Sequence, residues 1–341
     1  MSQQDSALFQ RSGSAPARSV IPLALQHVLA AFAAIVTPAI IVAAVCGFTP
    51  EQEARIIQAA LLLSALDTLL QQFPLFGRIG SGLPIVMGAS FTFVPAFRAI
   101  GVDMGFEAVL GAQIVGGVLV MACAALFRRI RFLFPPVVMG TVIFVIGLSL
   151  CPVAVKSMAG GEGAETFGSL ANWIVALTTF AVTFGVGAVA ALFGTIPTVT
   201  YGQNVGIIAE NKVVNRSVFT LAAAILLAAG LLPKFATLLT AIPQPVIGGA
   251  TIGVFATIGM NGVVMFAREG LSQRDTTLMG LAVAFGIGIE QSVGALAGAG
   301  MPAWANTVFG TSSIAVATVV AVVLNLILPR EAPAGDADAR E

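Results

Sequence analysis

Apolar and polar residues form long alternating blocks along this chain, with apolar stretches of about 20 residues separated by short polar loops. An α-helix of that length crosses about 30 Å of hydrocarbon. The pattern therefore predicts a protein whose helices pass through a membrane many times. Eleven such segments are predicted, near residues 20–46, 54–73, 83–100, 105–127, 134–155, 170–192, 195–211, 217–240, 243–267, 275–296 and 303–328.

Composition agrees with an all-α polytopic membrane protein. Of the 341 residues, 57% are hydrophobic and only 9% are charged, whereas roughly 25% of residues are charged in soluble domains. The net charge is zero, so nothing points to a nucleic-acid partner. The three cysteines show no CxxC spacing, so we predict neither a disulfide framework nor a metal site, and no cofactor is expected.

Two of the eleven segments are broken. The third opens with SGLPIVMGASFTFVP and the seventh with FGTIPTVTYGQNVG. Each has a proline, a glycine four or five residues later, and then small polar residues, so we expect a short extended piece that leads into half a helix. Backbone groups released by such a break are tolerated in a membrane only where they are buried in protein or line a cavity.

The chain also contains an internal repeat. FPPVVMGTVIFVIG at 134–147 resembles PQPVIGGATIGVFA at 243–256, with Gly140 matching Gly249 at an offset of 109 residues. The prolines of the two broken segments, Pro84 and Pro197, lie 113 residues apart. Two landmarks at nearly one spacing predict a duplicated unit. Paired broken segments in two repeats are the best sequence pointer to the binding site of a transporter.

The seventh segment carries groups suited to a ligand. Gly202 allows a close approach of the backbone, and Gln203 and Asn204 supply both hydrogen-bond donors and acceptors. A half-helix N-terminus adds free N–H groups and a positive dipole end. A flat heterocycle with alternating N–H and C=O groups would suit this set. A structural kink whose amides cap the helix would use the same residues, and the stretch alone does not separate the two.

These motifs together resemble the nucleobase–ascorbate transporters, also called nucleobase:cation symporter 2. YGQNVGIIAENK is similar to the family signature at Gln203, Asn204, Gly206 and Lys212, and departs from it at Glu210 and Asn211. LALQHVLAAF resembles the first-helix motif of the family at Gln26 and His27. The third segment places Phe91 where the family has a phenylalanine that contacts the ligand. The resemblance extends from about residue 20 to residue 329.

The resemblance implies a permease, not an enzyme, that takes up a nucleobase with protons across the cell (inner) membrane. Glutamine at position 203 together with GSGLPIVMG looks closer to the xanthine and urate permeases, so a purine is favoured and uracil is the alternative. The implied substrate-binding residues are Phe91, Gly202, Gln203 and Asn204, supported by Gln26, His27, Ser90 and Gly206.

The resemblance also implies how the chain is divided. A cytoplasmic tail (1–19) and a C-terminal tail (330–341) flank the membrane transporter domain at 20–329. Core segments would cover about 20–127 and 195–240, and gate segments about 134–192 and 243–328. Surrounded by membrane lipid, the gate segments would hold a homodimer together.

The repeat indicates that part of the middle is missing. Symmetry requires four spans between residues 156 and 195, and only the apolar stretch 170–192 is present. The resemblance implies fourteen helices in two inverted halves of seven, and a chain about a hundred residues longer. We therefore interpret the chain as an inverted-repeat transporter of the uracil permease type, shortened by about three helices near residues 180–194. The loss includes the family's eighth helix and its acidic residue, which hydrogen-bonds the base and takes part in proton coupling.

The basic loops give an independent argument, because basic residues in short loops favour the cytoplasm. With the N-terminus inside, four spans place the basic residues at 128–131 inside, and the loop with Glu165 then lies outside. Counting through all eleven spans would put Lys212, Arg216, Arg268, Arg274 and Arg330 outside. We expect instead that segment 170–192 or 195–211 fails to cross fully, so that Lys212 and Arg274 stay cytoplasmic.

Three acidic residues inside apolar segments are candidates for proton coupling, because such groups are costly in a membrane and usually functional. They are Asp67, Glu210 and Glu290. Asp67 could instead be a buried acid that is held neutral or hydrogen-bonded to Ser64 or Thr68. For Glu210 an interfacial charge is favoured, and for Glu290 a structural role. His27 is the only histidine, and the resemblance makes it a hydrogen-bonding residue behind the site rather than a proton carrier.

Three other classes compete with a working nucleobase permease. A membrane enzyme is disfavoured because the sequence has no HExxH, no GxSxG and a single histidine. A same-fold anion transporter would place a basic residue at the site, whereas Phe91, Gln203 and Asn204 suit a neutral aromatic ligand. The third alternative is a shortened remnant that does not transport.

Overall fold

The computed structural model describes residues 7–77, 80–192, 212–267, 270–296 and 302–329, apart from positions 12, 14, 162 and 293. Over these residues the fold consists of helices and the turns that join them, which confirms the predicted all-α class. The helices are α1 (Ala17–Val45), α2 (Pro50–Gln72), α3 (Val94–Ile130), α4 (Pro136–Met158), α5 (Leu170–Leu192), α6 (Arg216–Leu231), α7 (Pro233–Thr240), α8 (Gln244–Ala267), α9 (Gln273–Gln291), α10 (Ala303–Thr311) and α11 (Ser313–Ile327).

Two predicted segments, 217–240 and 303–328, differ from the helices that form. Within α3, non-helical backbone at Gly105 marks a kink between two helical parts, close to the predicted boundary between the third and fourth segments. The predicted segment 217–240 is two helices, α6 and α7, which meet at an angle of 80°. Pro233 begins α7 and cannot continue α6, because it lacks a backbone N–H. The predicted segment 303–328 divides at Ser312, whose side chain caps the start of α11. Segment 195–211 lies outside the described residues.

Within the described residues, four helices are long and apolar enough to cross a membrane. They are α1, the 104–124 part of α3, α4 and α8, and the bent pair of α6 and α7 would add a fifth if it forms one span. The chain is therefore a multi-pass membrane protein.

The chain divides into two compact units, of which the first comprises residues 1–98 and 154–254. Here α2 packs between α1, α6 and α7 around fully buried side chains such as Leu61, Phe219 and Leu226. A capping box fixes the start of α2, because the Thr49 side chain accepts from the Gln52 backbone N–H while the Gln52 side chain accepts from the Thr49 N–H.

The N-terminal tail is anchored to the start of α6 within this unit. The Leu8 carbonyl accepts from the Val214 N–H at 3.0 Å, and the Arg11 carbonyl accepts from the Arg216 N–H at 3.2 Å. The Asn215 side chain donates to the Gly13 carbonyl at 3.1 Å. The Leu8 side chain is buried in the core of the unit. Residues 214–216 therefore lie on the same side of the membrane as the N-terminal tail.

The second unit comprises residues 99–153 and 255–341. Its α9 and α11 pack together, with Leu278 and Ala321 fully buried between them. Arg274 at the start of α9 donates to the carbonyls of Asn325, at 2.8 Å, and Leu328, at 3.3 Å. The guanidinium thus satisfies carbonyl groups at the end of α11 that have no partner within that helix.

Glycines allow α4 and α8 to approach closely in the second unit. A Cβ atom on Gly147 would overlap the backbone N and Cα atoms of Gly259 and would lie 2.9 Å from the Phe255 carbonyl oxygen. A Cβ atom on Gly140 would likewise lie 2.9 Å from the Gly262 carbonyl oxygen. Inside a membrane the hydrophobic effect does not drive helices together, so close packing of backbones at small residues stabilises helix contacts instead.

We predict that Gly147→Ala destabilises the protein, because the new methyl group meets backbone atoms that cannot rotate away. Overpacking of this kind costs about 1–3 kcal/mol. The matched control is Gly116→Ala in α3, where nothing lies within 4 Å of the added atom. Thermal unfolding in detergent should show a lower midpoint for Gly147→Ala alone. Equal midpoints for both variants would contradict the close packing of α4 against α8.

The anchored tail gives a test of membrane sidedness. In a background lacking the native cysteines, single cysteines at Phe9, Glu165, Val214 and Ser272 are treated with an impermeant thiol reagent on intact cells. Positions 9, 214 and 272 should react only after the cells are permeabilised, whereas position 165 should react from outside. Reaction from outside at position 214, with position 9 protected, would show that the second half inserts in the opposite orientation.

Candidate functional site

As the sequence predicts, the first broken segment begins with non-helical backbone and leads into a helix. Residues 81–90 are non-helical, Phe91–Phe93 form one 3-10 turn, and α3 follows at once from Val94. The segment begins where the Gly82 N–H donates to the Gln71 carbonyl at 2.8 Å, beside the end of α2. The chain therefore turns after α2 and runs back alongside it.

Glycine is required in the turn that precedes this segment. Gly80 has φ +102°, in the left-handed region that side chains with a Cβ atom rarely adopt. A Cβ atom there would also overlap the carbonyl oxygen of Leu70. The Gly80 backbone thus lies directly against the last turn of α2, which sets where the non-helical segment 81–90 begins.

Two hydroxyl groups of α2 hold the middle of the non-helical segment 81–90. The Met87 N–H donates to the Thr68 hydroxyl oxygen at 2.9 Å, and the Ser64 hydroxyl donates to the Met87 carbonyl. Ser64 and Thr68 are one helical turn apart, so their side chains lie on the same face of α2. Both are almost fully buried. The two polar backbone groups of Met87 are therefore satisfied by side chains in a place where a helix supplies no partner.

Phe91 stands where this segment enters α3. Its side chain is buried, with 4% of its surface exposed, and Ser90 before it is half-buried. The Ser90 carbonyl accepts from the Phe93 N–H at 3.3 Å, which closes the turn. The first N–H groups of a helix have no partner within that helix, so the start of α3 brings an aromatic ring and backbone donors together.

The first-helix motif places its two residues differently. His27 is fully buried, and its ring lies 4.6 Å from the ring of Phe219 in α6. Gln26 is exposed on α1. Neighbouring helical positions point about 100° apart, so only His27 faces the core of the first unit.

Two of the three candidate coupling acids, Asp67 and Glu290, lie within the described residues. Asp67 is exposed on α2, and the hydroxyls of Ser64 and Thr68 bond Met87. The alternative of a buried Asp67 held by those hydroxyls is therefore wrong. Glu290 is half-buried near the end of α9. Glu210 lies outside the described residues, together with the four second-segment site residues Gly202, Gln203, Asn204 and Gly206.

Sequence reasoning missed the role of Ser64 and Thr68. A signal was present, because hydroxyl residues four positions apart mark one face of a membrane helix. The partner of that face is a backbone segment about 20 residues away, and a backbone group leaves no mark in the sequence.

Comparison with known proteins places the chain among transporters. The sequence model described as Permease family (Xan_ur_permease) matches residues 18–189 and 185–294. A putative purine permease of Clostridium perfringens is 26% identical over 411 aligned positions, which cover 91% of this chain and 90% of that protein. The xanthine permease of Bacillus subtilis is also 26% identical, with 90% and 93% covered. A xanthine permease of Escherichia coli is 25% identical, with 96% of each chain covered.

The alignments also locate the shortening. In the first comparison 91% of 341 residues is about 310, so about 100 of the 411 aligned positions have no residue in this chain. The two parts of the family match meet at residues 185–189, inside the predicted junction at 180–194. The matched residues make up more than half of the sequence. The chain therefore belongs to the Permease family, as an internally shortened membrane transporter rather than an enzyme.

Proposed function

We propose that this chain is a nucleobase permease whose site recognises a purine, xanthine or urate, with uracil as the alternative substrate. The observation that carries the proposal is the first half-site: a non-helical segment (81–90) that is fixed by α2 and brings buried Phe91 to the start of α3. The xanthine permeases and the uric acid permease PucJ of Bacillus subtilis among its relatives agree with a purine.

In the proposed site the base stacks near Phe91 and is held from the second broken segment. Aromatic side chains favour offset stacking with flat rings. The amide of Gln203 and backbone N–H groups around Gly202 would bond the ring edge, with Asn204 beside them. Ser90, Gly206 and the buried His27 of the first-helix pair would support this set from behind, whereas Gln26 is exposed on α1.

The missing middle helices affect the part of the proposal that concerns proton coupling. Family members would drive uptake with protons across the cell membrane, using an acid on the helix that this chain lacks. Asp67, Glu210 and Glu290 are the acids that stay as candidates, and Asp67 is exposed on α2. We propose that the site binds a base while proton-driven accumulation is lost, and that the gate segments form a homodimer in the membrane.

Equilibrium binding of radiolabelled bases to the purified protein tests the substrate and Gln203 together. Xanthine or urate should bind more tightly than uracil. Gln203→Ala should weaken binding about tenfold or more, since loss of a buried hydrogen-bond partner costs about 1–3 kcal/mol. Gln291→Ala, at an exposed position at the end of α9, is the control. Unchanged affinity in Gln203→Ala would remove Gln203 from the site, and tighter binding of uracil would replace the purine with the alternative.

A further inference from the structure

We propose that Ser64 and Thr68 are positioning residues for base recognition, which act by holding the backbone of Met87 so that Phe91 and the start of α3 face the ligand. This inference rests on the proposed function, because it concerns the same site. Neither side chain needs to touch the base. Their effect passes through the non-helical segment 81–90.

The two hydrogen bonds hold both polar backbone groups of one residue, Met87. Ser64 donates to the Met87 carbonyl, and Thr68 accepts from the Met87 N–H. With both groups fixed to one face of α2, the peptide planes on either side of Met87 cannot turn about the segment axis. Met87 precedes Phe91 by only four residues, so its orientation limits where the Phe91 ring can point. Because the Ser64 and Thr68 side chains are buried, loss of either bond would leave a polar backbone group of Met87 without its partner on α2.

Two other buried hydroxyls among the described residues are used differently. In α4 the Thr141 hydroxyl donates to the Val137 carbonyl at 2.7 Å, and the Ser149 hydroxyl donates to the Ile146 carbonyl at 2.9 Å. Both bonds stay within their own helix, the usual habit of serine and threonine in helices. Ser64 and Thr68 instead reach a segment 23 and 19 residues away. Thr141 and Ser149 are therefore matched controls for the loss of a buried hydroxyl.

Binding measurements test the positioning role. Thr68→Val keeps the shape of the side chain and removes the acceptor, whereas Thr68→Ser keeps the acceptor. The affinity for xanthine should fall about tenfold in Thr68→Val and in Ser64→Ala, and Thr68→Ser should restore it to within about twofold. Thr141→Val and Ser149→Ala should leave the affinity for xanthine unchanged, even where they lower the unfolding midpoint by as much as the two α2 variants do. Equal affinity losses in the control variants, or no recovery with serine, would reduce Ser64 and Thr68 to general contributors to stability.

Hydrogen–deuterium exchange gives a readout that needs no ligand. The peptide covering residues 82–93 should exchange faster in Thr68→Val and Ser64→Ala than in the wild type, while peptides from α1 and α6 keep their rates. The two α4 controls should leave residues 82–93 unchanged. If the wild type binds none of xanthine, urate and uracil, the proposed function fails, and this exchange still decides whether α2 holds the segment. Unchanged exchange in both α2 variants would overturn the inference.

Discussion

A peptide group that leaves a helix inside a hydrocarbon layer must find its hydrogen-bond partner within the protein, because no water is present to supply one. The first broken segment is where this constraint acts in the described structure. Ser64 and Thr68 satisfy Met87, and the Gln71 carbonyl satisfies Gly82. The position of α2 against the segment, the glycine turn between them and the point where α3 begins all follow from the need to meet these bonds.

The internal repeat also reflects a constraint on the backbone, here one of close packing. Its matched glycines, Gly140 and Gly249, both sit where a Cβ atom would strike neighbouring backbone, that of Gly262 for the first and that of Ala176 for the second. Each contact lies within one unit. The duplicated sequence has therefore kept the same packing requirement in both copies, although the partner helix differs.

Much of the fold could be predicted because apolar length alone decides whether a helix can cross a membrane. That rule located α1, α2, α4, α5, α8 and α9. Apolar length alone could not locate the bend at Pro233 or the break at Ser312, because the apolar runs 217–240 and 303–328 are each long enough to be taken as one segment, although Pro233 and the polar residues 311–313 mark both places in the sequence. Nor could it show that Leu8 of a polar tail is buried against the start of α6, since that contact joins residues about 200 positions apart.

The candidate site, like the fold, could be predicted only in part. Phe91 was predicted by resemblance and stands buried at the entry to α3, whereas its supports on α2 became visible only in three dimensions. The second half-site lies in the region next to the shortened junction, and its residues remain predictions from the motif.

The central claim is that this chain keeps a nucleobase site and lacks the part of the family fold that couples it to protons. Proteoliposomes made from the purified 341-residue chain test this directly, with an imposed acid-outside gradient and labelled xanthine. The account predicts saturable binding with an internal concentration that never exceeds the external one, and no response to collapse of the gradient. Xanthine accumulated above the external concentration and released by a protonophore would contradict it.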